Sequence, residues 1–360
     1  MQERNRSTPH LANSGGTVEN IPMAKFHSWA AQGPKQQLTP YEFDPGPIGV
    51  EEVEVAVEHS GLCHSDLSVL NNEWGISHYP FVPGHEVIGK VVAVGEHAKG
   101  VKIGDHVGIG WTASSCMSCS LCLSGEQHLC RKAQPTIIGH AGGFADRVRA
   151  HWAWIVPLPA ALDATTAGPL LCGGITVFNP FELYSISPTA RVGILGIGGL
   201  GHMALKFANA WGCDVTAFTS SESKADEAKS FGAHHVVSSR DVNSIKSIAG
   251  SLDLLLITAN VPLEWGALVN TLAPRGRMHV VGIVPEPIPL QVFSLVSSEL
   301  EVSGSPTGSP VDIARMLDFA ARHKIAPQVE RFPMSKVNEA MAHLESSKAR
   351  YRIILDADFR

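Results

Sequence analysis

The sequence predicts an α/β fold in which one of two domains is built on a doubly wound parallel sheet. The chain has 360 residues, more than one ordinary hydrophobic core contains, which indicates two domains. A glycine-rich turn at 196–201 stands between a strand pattern and a helix pattern, and further strand patterns follow it. Strands that alternate with helices in this way are typical of a parallel sheet.

The composition argues against several classes of protein. The 28 basic and 34 acidic residues give a net charge of −6, so nothing draws the chain to nucleic acid or to an anionic membrane. No apolar run approaches the roughly 18 residues that are needed to cross a bilayer. Residues 1–22 are polar and lack the apolar core of a secretory signal, so we expect a disordered extension on a cytoplasmic protein.

The first clear strand pattern, VEVAVEH, has three valines on one face: Val53, Val55 and Val57. It leads to Cys63, while VPGHEVIG supplies His85 and Glu86, and GPLLCGGITVF supplies Cys172. One imidazole and two thiolates would form a three-ligand zinc site with a fourth position free for water or substrate. Spacing alone does not establish such a site. Without the other motifs, Cys172 would be interpreted as a small hydrophobic residue of the core.

Two acidic residues accompany these candidate ligands. Asp66 lies three residues after Cys63, where its carboxylate could accept the second ring N–H of His85 and fix the histidine tautomer. The alternative is a solvated aspartate in a loop. Glu86 adjoins a candidate ligand and could become a temporary fourth ligand when no substrate is bound. Cys213 begins another predicted strand, and we expect it to pack in the core.

Four cysteines lie within the fifteen-residue segment CMSCSLCLSGEQHLC: Cys116, Cys119, Cys122 and Cys130. The residues between them favour a loop rather than a helix or a strand, and four thiolates on a tight loop make a closed, structural zinc site. A [4Fe–4S] cluster is a rival, since the segment begins like a bacterial ferredoxin motif. The long final spacing and the absence of proline after the last cysteine favour zinc.

The clearest motif is a glycine-rich loop that matches G-x-G-x-x-G: Gly196, Ile197, Gly198, Gly199, Leu200 and Gly201. The strand pattern RVGILG precedes it, a helix pattern follows and ends at Gly212, and the strand pattern DVTAFT comes next. In this context the motif predicts a dinucleotide site, because glycines let the backbone approach the pyrophosphate and the helix N-terminus favours its charge.

The end of the second strand distinguishes NAD from NADP. An NAD enzyme usually carries an acidic residue there. This chain has hydroxyl groups and an ammonium group instead: Thr219, Ser220, Ser221 and Lys224. Donors and positive charge suit the 2′-phosphate of NADP, although a serine-rich loop with a solvated lysine is the alternative. Further strands are predicted in HHVVSS, LDLLLITAN and GRMHVVGIV, and the last in LEVSGSPTGS.

Five motifs in order resemble those of the zinc-dependent medium-chain dehydrogenases/reductases, in particular the cinnamyl-alcohol dehydrogenase group. They are CHSDL, PGHE, the four-cysteine segment, PLLCGGITVF and GIGGLG. CHSDLSVLNNEWG, VGIGWTA, AGPLLCGGITVF, FPMSK and KARYRIIL are more similar still to bacterial broad-range NADPH-dependent aldehyde reductases. The resemblance covers about residues 24–360.

The resemblance implies a GroES-like, β-rich catalytic domain formed by 23–172 and 311–360, with a Rossmann NADP-binding domain inserted at 173–310. The returning segment would contain helices in VDIARMLDFAARHK and SKVNEAMAHLESS, the second with Ser335 as its N-cap, and a last strand in YRIIL. Pairing through the edge strand of the cofactor domain, in LEVSGS, would give a homodimer or a homotetramer.

The resemblance also implies roles for residues. Cys63, His85 and Cys172 would hold a catalytic zinc, with Glu86 as an exchanging ligand, and the four-cysteine segment would hold a second, structural zinc. Ser65 stands where the family has its proton-relay hydroxyl. Six residues stand near the nicotinamide end of the cofactor: Thr176, Thr258, Gly282, Ser305, Pro306 and Thr307.

The implied reaction is the reversible reduction of an aldehyde to a primary alcohol, with hydride from NADPH, a carbonyl polarised by zinc and a proton from Ser65. Trp74, Ile76 and Trp111 are expected to line an apolar substrate pocket, although core packing explains them nearly as well. Many relatives have a histidine three residues after the relay hydroxyl. Here Ser68 with a water, or another histidine, would pass the proton on.

Other functions fit less well. A zinc-free reductase of the same superfamily would lack the candidate ligands, and a non-catalytic relative would have lost ligands or glycines. A zinc module that binds nucleic acid conflicts with the acidic net charge. An NAD(P)-dependent cinnamyl-type alcohol dehydrogenase remains the main alternative.

Overall fold

The computed structural model describes residues 25–284 and 286–359. The extension expected at 1–22 therefore lies outside the described residues. Within them the chain forms two large sheets, one mixed and one wholly parallel, together with two small two-stranded antiparallel sheets. No helix in the described part of the chain is long and apolar enough to span a bilayer.

The chain up to residue 183 is rich in short strands. Its strands are β1 (Phe26–Ala30), β2 (Thr39–Phe43), β3 (Glu52–Leu62), β4 (Val87–Val94), β5 (His106–Ile109), β6 (Thr112–Ser114), β7 (Gln134–Pro135), β8 (Arg147–His151) and β9 (Val156–Pro157). Its helices are α1 (His64–Leu70), α2 (Ser120–Leu123), α3 (Ala164–Ala167) and α4 (Gly173–Leu183). The three valines of the first strand pattern are all buried in β3, as their alternation predicts.

The four-cysteine segment is not the pure loop that the sequence suggested. Helix α2 forms one turn, in which the N–H of Leu123 donates to the carbonyl of Cys119 at 2.9 Å. Since residues three apart lie on one side of a helix, this turn brings Cys119 and Cys122 to the same side. The expectation of no helix here was wrong.

Residues 191–304 alternate strands and helices. The strands are β10 (Arg191–Leu195), β11 (Asp214–Thr219), β12 (His235–Ser238), β13 (Leu252–Ile257), β14 (Leu272–Val280) and β15 (Glu301–Gly304). The helices are α5 (Gly201–Trp211), α6 (Ala225–Ser230), α7 (Val242–Lys246), α8 (Trp265–Val269) and α9 (Val292–Ser297). All six strands pair in parallel in the order β12-β11-β10-β13-β14-β15, which confirms the doubly wound sheet and leaves β15 at one edge.

The last segment returns to the first sheet. It contains α10 (Pro310–His323), β16 (Val329–Pro333), α11 (Val337–Glu345) and β17 (Arg352–Asp356). Strand β17 pairs antiparallel with β3, and the mixed sheet has the order β16-β17-β3-β4-β5-β9, with β8 also on β3. The prediction that Ser335 caps α11 was wrong. A 3₁₀ turn at Met334–Lys336 precedes the helix, and the Ser335 N–H donates to Asp358 Oδ1 at 2.9 Å.

Two clusters of buried apolar residues lie on the parallel sheet and one on the mixed sheet, and the largest also includes Ile88 of β4 and Val156 of β9. Buried residues of α10, including Met316 and Leu317, share a cluster with Phe178 of α4 and Phe207 of α5, which cover the parallel sheet. Helix α10 packs on α4 and also contacts β9 of the mixed sheet, whereas the limits drawn from the resemblance assign it to the catalytic domain alone. The limits 23–172, 173–310 and 311–360 stay a prediction.

Candidate active site

Four buried residues from three separate segments meet in one cluster. Cys63 precedes α1, His85 and Glu86 precede β4, and Cys172 precedes α4. One ligand atom from each lies within 4.8 Å of all the others. The structure thus brings together the candidate ligands that the sequence singled out.

The residues of this cluster fit a metal ion. His85 Nε2 and Glu86 Oε2 are buried without a hydrogen-bond partner. Leaving a buried polar atom unpaired costs about 1–3 kcal/mol, and a metal ion would satisfy both atoms. Two thiols, an imidazole and a carboxylate are a donor set that zinc accepts.

Asp66 orients the candidate histidine ligand. Its Oδ1 lies 3.1 Å from His85 Nδ1 and accepts the N–H of Gly84 at 2.8 Å, while Oδ2 accepts the N–H of Cys63 at 2.9 Å. Because Nδ1 faces a carboxylate, it carries the proton and leaves Nε2 free to bind a metal. Burial lowers the pKa of His85, but the charge and hydrogen bond of Asp66 outweigh it and raise that pKa well above its usual value.

The two thiols do not ionise alike. A hydrogen bond from Cys172, and then the charge of Arg352, hold the pKa of Cys63 well below its usual range against the effect of burial. The interaction with Cys63 and burial raise the pKa of Cys172 well above its usual value. Without a metal the pair thus favours one thiolate and one thiol. A bound divalent cation would favour deprotonation of both.

Arg352 is the functional residue that sequence reasoning missed. Only 4% of it is exposed, its guanidinium pairs with Glu86 Oε1, and its Nη1 lies 4.0 Å from Cys63 Sγ. Burial raises the pKa of Glu86, and the positive charge of Arg352 counteracts that rise. One signal was available, namely a cation near the start of the otherwise apolar strand pattern YRIIL. Gly61 leaves room for the pair, because a Cβ there would lie 2.0 Å from Glu86 Oε2.

The candidate relay hydroxyl of Ser65 and two tryptophan rings adjoin the cluster. The Ser65 hydroxyl lies 3.8 Å from Cys63 Sγ, on the first turn of α1. The Trp111 ring meets His85 edge-on with centroids 5.0 Å apart, and the Trp74 ring lies 6.2 Å from Trp111. Ile76 is 43% exposed. The two tryptophans therefore supply apolar surface beside the candidate ligand.

The four-cysteine segment forms a second group of ligand atoms, also within 4.8 Å of one another. The Sγ atoms of Cys116 and Cys130 are 3.5 Å apart, those of Cys119 and Cys130 3.8 Å, and those of Cys116 and Cys122 3.9 Å. A tetrahedron with Zn–S bonds of about 2.3 Å has sulfur atoms about 3.8 Å apart. The backbone N–H groups of Ser118 and Cys119 lower the pKa of Cys116 to about 6. This geometry fits a closed four-thiolate zinc site.

The glycine-rich loop is closely packed on one side and open on the other. A Cβ at Gly201 would lie 1.9 Å from the carbonyl oxygen of Gly196, whose φ is +97°. A Cβ at Gly198 would have no atom within 4 Å. Helix α5 starts at Gly201 and ends before Gly212, whose φ of +107° confirms the predicted C-cap. The open side of the loop is where a ligand can approach the backbone.

The predicted cofactor residues lie at the carboxyl ends of parallel strands. The Thr258 hydroxyl, after β13, donates to the Gly196 carbonyl at 2.6 Å, and Gly282 follows β14. Ser305 follows the edge strand β15, and its Oγ lies 3.0 Å from His279 Nε2. Because β10, β13, β14 and β15 are neighbours, these residues share one edge of the sheet.

The other predicted cofactor residues lie in two places. The Thr176 hydroxyl donates to the Cys172 carbonyl at 2.8 Å, and the Thr307 carbonyl, after Pro306, accepts from Asn179 of the same helix α4 at 3.0 Å. At the end of β11 the Thr219 Oγ1 accepts the N–H of Ser221 at 3.3 Å. Ser220 is exposed beside them, and Lys224 ends a short 3₁₀ turn.

Comparison with known proteins identifies the family. Residues 49–160 match the family model for the alcohol dehydrogenase GroES-like domain, and residues 199–322 match that for zinc-binding dehydrogenase. The aldehyde reductase AdhA of Synechocystis sp. is 53% identical over 328 residues, which cover 91% of this chain and 98% of that protein. Cinnamyl alcohol dehydrogenase 2 of Rauvolfia serpentina is 36% identical, with 92% and 95% covered.

Solved structures agree. A cinnamyl alcohol dehydrogenase of Sorghum bicolor superposes with a TM-score of 0.89 at 36% identity, covering 92% of this chain and 98% of that one. The Helicobacter pylori cinnamyl alcohol dehydrogenase, solved with NADP(H), gives a TM-score of 0.84 at 28% identity with the same coverage. Fold, site and sequence identity therefore confirm the resemblance: the chain belongs to the zinc-binding alcohol dehydrogenases of the medium-chain dehydrogenase/reductase family, in the cinnamyl-alcohol dehydrogenase group.

Proposed function

We propose that this enzyme reduces aldehydes to primary alcohols with NADPH and catalyses the reverse oxidation of primary alcohols. The observation that carries the proposal is the position of Arg352 between two sites. Its guanidinium pairs with Glu86 in the metal cluster, and a Cβ at Gly199 in the glycine-rich loop would lie 3.1 Å from its Cδ. The candidate metal site and the candidate dinucleotide site are thus one side chain apart, as hydride transfer between their occupants requires.

The metal would be held by Cys63, His85 and Cys172, with Glu86 as the exchanging ligand, and the four-cysteine segment would hold a second zinc. Bound zinc supplies Lewis-acid polarisation of a carbonyl, and NADPH supplies hydride. The free Oε2 of Glu86 supports its role as an exchanging ligand, since only Oε1 is engaged by arginine.

The chain's own residues orient the reactants and move the proton. Asp66 fixes the tautomer of His85, and the Ser65 hydroxyl donates a proton to the product oxygen. Trp111 and Trp74 offer apolar surface beside the cluster, exclude water and favour aromatic or apolar aldehydes. The same surface, and the cinnamyl alcohol dehydrogenases among the relatives, keep a cinnamyl-type alcohol dehydrogenase as the second candidate function.

The test combines metal content with turnover. Purified enzyme should contain two zinc ions per chain and should oxidise NADPH when benzaldehyde is added. A panel of benzaldehyde, cinnamaldehyde and aliphatic aldehydes with both cofactors separates the broad-range function from the cinnamyl-type one. Zinc-loaded protein that turns over none of these substrates would contradict the proposal.

The preference for NADPH depends on the end of β11. We expect kcat/KM to be higher with NADPH than with NADH, because Ser221 and Lys224 supply donors and positive charge for the 2′-phosphate. Lys224→Ala should lower kcat/KM for NADPH about tenfold, as losing a charge-assisted hydrogen bond does, and leave NADH unaffected. Lys246→Ala, at an exposed lysine of α7, is the matched control. Equal kcat/KM for both cofactors in the unaltered enzyme would refute the NADP preference.

We also propose a cytoplasmic homodimer, or a homotetramer built from it, that pairs through β15. The strand lies at the edge of the parallel sheet, so its outer hydrogen-bonding groups are available to a second copy. Helix α9 leads to it and contains no buried residue, and Val292, Phe293 and Val296 are 68%, 82% and 72% exposed. Apolar exposure of this extent is typical of a protein interface.

A further inference from the structure

His202, the second residue of α5, is fully buried and has a hydrogen-bond partner at each ring nitrogen. Its Nδ1 lies 3.1 Å from the carbonyl oxygen of Gly198, and its Nε2 accepts the backbone N–H of Gln328 at 3.1 Å. Because Nε2 accepts, the ring proton is on Nδ1, which donates to the Gly198 carbonyl. The ring therefore joins two backbone segments that are 126 residues apart.

The surroundings of the ring exclude a role in proton transfer. The His202 ring stacks on Tyr351 with centroids 4.9 Å apart and meets the Phe231 ring edge-on at 5.6 Å. Burial lowers the pKa of His202 to about 3, so the imidazole is neutral near pH 7. A neutral, enclosed ring with both nitrogens engaged can act only through the groups it holds.

The first of those groups belongs to the open part of the glycine-rich loop. Gly198 faces open space, whereas Gly196 and Gly201 are packed against each other. The carbonyl of Gly198 also accepts the N–H of His202 at 3.1 Å, at the start of α5. Two donors from one residue thus fix the orientation of the Gly198 carbonyl, while the Cβ position of Gly198 is open.

The second group leads to the metal cluster. The carbonyl of Gln328 accepts the N–H groups of Tyr351 and Arg352 at 3.1 and 3.0 Å. Arg352 in turn pairs with Glu86 and packs against Gly199. A chain of hydrogen bonds therefore runs from Gly198 through His202 and Gln328 to Arg352, whose side chain packs against Gly199 in the same loop.

We infer that His202 is a positioning residue for cofactor binding, which holds the Gly198 peptide in register with the segment that carries Arg352. The inference rests on the proposed function, since it takes the glycine-rich loop as the site of the NADPH pyrophosphate. It assigns the residue to binding of the dinucleotide and not to the chemical step. A neutral hydrogen bond of this kind contributes a factor of roughly 2 to 12 to an equilibrium.

The test compares two variants with the unaltered enzyme. His202→Phe keeps the ring and its stacking on Tyr351 and removes both hydrogen bonds. His202→Gln keeps an acceptor that reaches Gln328 and removes the N–H that points to Gly198. We expect the Kd for NADPH to rise about tenfold in H202F and about threefold in H202Q, with zinc content and kcat at saturating NADPH within a factor of two of the unaltered enzyme.

Amide hydrogen exchange supplies a second measurement that does not depend on activity. The Gln328 amide should lose protection in H202F and keep it in H202Q, because only the second variant retains an acceptor there. An unchanged Kd in folded H202F would overturn the inference, and so would a loss of kcat at saturating cofactor. If H202F does not fold, H202Q decides: a raised Kd supports the inference and an unchanged Kd overturns it.

The same experiment separates this inference from the proposed function. If the unaltered enzyme binds no NADPH, the proposed function fails and the inference fails with it. If the unaltered enzyme binds and oxidises NADPH while both variants bind it equally well, only the role of His202 is refuted.

Discussion

The Ser65 hydroxyl lies beside the candidate metal ligands without belonging to them. Ser65→Ala should lower kcat by about 10² to 10⁴, because it removes the proposed proton donor. Zinc content should stay unchanged. Steady-state kinetics and elemental analysis of the same preparation measure both quantities.

Two other serines complete that experiment. Ser230→Ala, at an exposed position that ends α6, is the matched hydroxyl control and should leave kcat unaltered. A partial loss in Ser68→Ala would assign the onward transfer of the proton to that serine. Unchanged kcat in Ser65→Ala would remove Ser65 from the relay.

At the residue scale, the sequence indicates which side chains could bind a metal better than it indicates which side chains contact each other in the fold. Cys63, His85 and Cys172 were singled out because their side-chain types suit a metal, and the family resemblance then implied their role as zinc ligands. Arg352 and His202 were not assigned roles, since Glu86, the partner of Arg352, lies 266 residues away and Gln328, the distant partner of His202, lies 126 residues away. The role of a charged group or a ring nitrogen depends on its hydrogen-bond partner. A partner that is distant in the sequence can be identified only from the tertiary fold.

Alanine substitutions at two glycines of the glycine-rich loop should have different effects, one on cofactor binding and the other on stability. Gly198→Ala should leave the melting temperature within about 2 °C, since its Cβ meets no protein atom, but should raise the Kd for NADPH at least tenfold by occupying ligand space. Gly201→Ala should destabilise the fold, because its Cβ would lie 1.9 Å from a carbonyl oxygen. Calorimetry and NADPH titration report the two quantities separately.

The matched control for the loop is Gly266→Ala in α8, where a Cβ also meets no atom within 4 Å. It should leave both the Kd and the melting temperature nearly unchanged. Full affinity for NADPH in Gly198→Ala would show that the cofactor does not lie against that side of the loop.

The four-cysteine segment allows a similar comparison of a test variant with a control variant. Cys122→Ala should reduce zinc from two ions to one per chain and lower the melting temperature by at least about 5 °C, because a closed metal site contributes folding energy. Cys213→Ala removes another buried thiol, in the core of the parallel sheet, and should leave two zinc ions bound. Two zinc ions in Cys122→Ala would rule out the structural site.

At the scale of helices and strands, the presence of an element was predicted more reliably than the residue at which it begins or ends. The strands of the parallel sheet follow from short apolar runs, and the C-cap at Gly212 follows from its freedom to adopt positive φ. The N-cap at Ser335 failed, because a 3₁₀ turn precedes α11 and Asp358 binds the serine. Helix α2 was missed since a single turn carries no periodicity to detect.

At the scale of the whole molecule, the exposed apolar face of α9 predicts an assembly. Phe293→Asp should dissociate the proposed dimer, because it places a charge where apolar side chains would meet. Light scattering after gel filtration should then give the mass of one chain, 38.4 kDa. Ile103→Asp, at a residue that is 65% exposed elsewhere on the surface, should leave the dimer intact. A single-chain mass for the unaltered enzyme would reject the assembly.

The overall arrangement was predictable in part. A glycine motif between a strand and a helix predicts a parallel sheet, because such a turn belongs to a βαβ unit, whose two strands run in parallel. The packing of α10 on α4 was not predictable, since an amphipathic pattern shows which face is buried and not which layer covers it.

The pair formed by Glu86 and Arg352 joins residues that are synthesised at very different times. Three candidate zinc ligands, Cys63, His85 and Cys172, lie in the first half of the chain and are synthesised before any residue of the second half. The buried carboxylate of Glu86 gains its counter-charge only when β17 has been made. A nascent chain can therefore gather its thiols early, but it can complete the charge balance of the metal centre only at the end of translation.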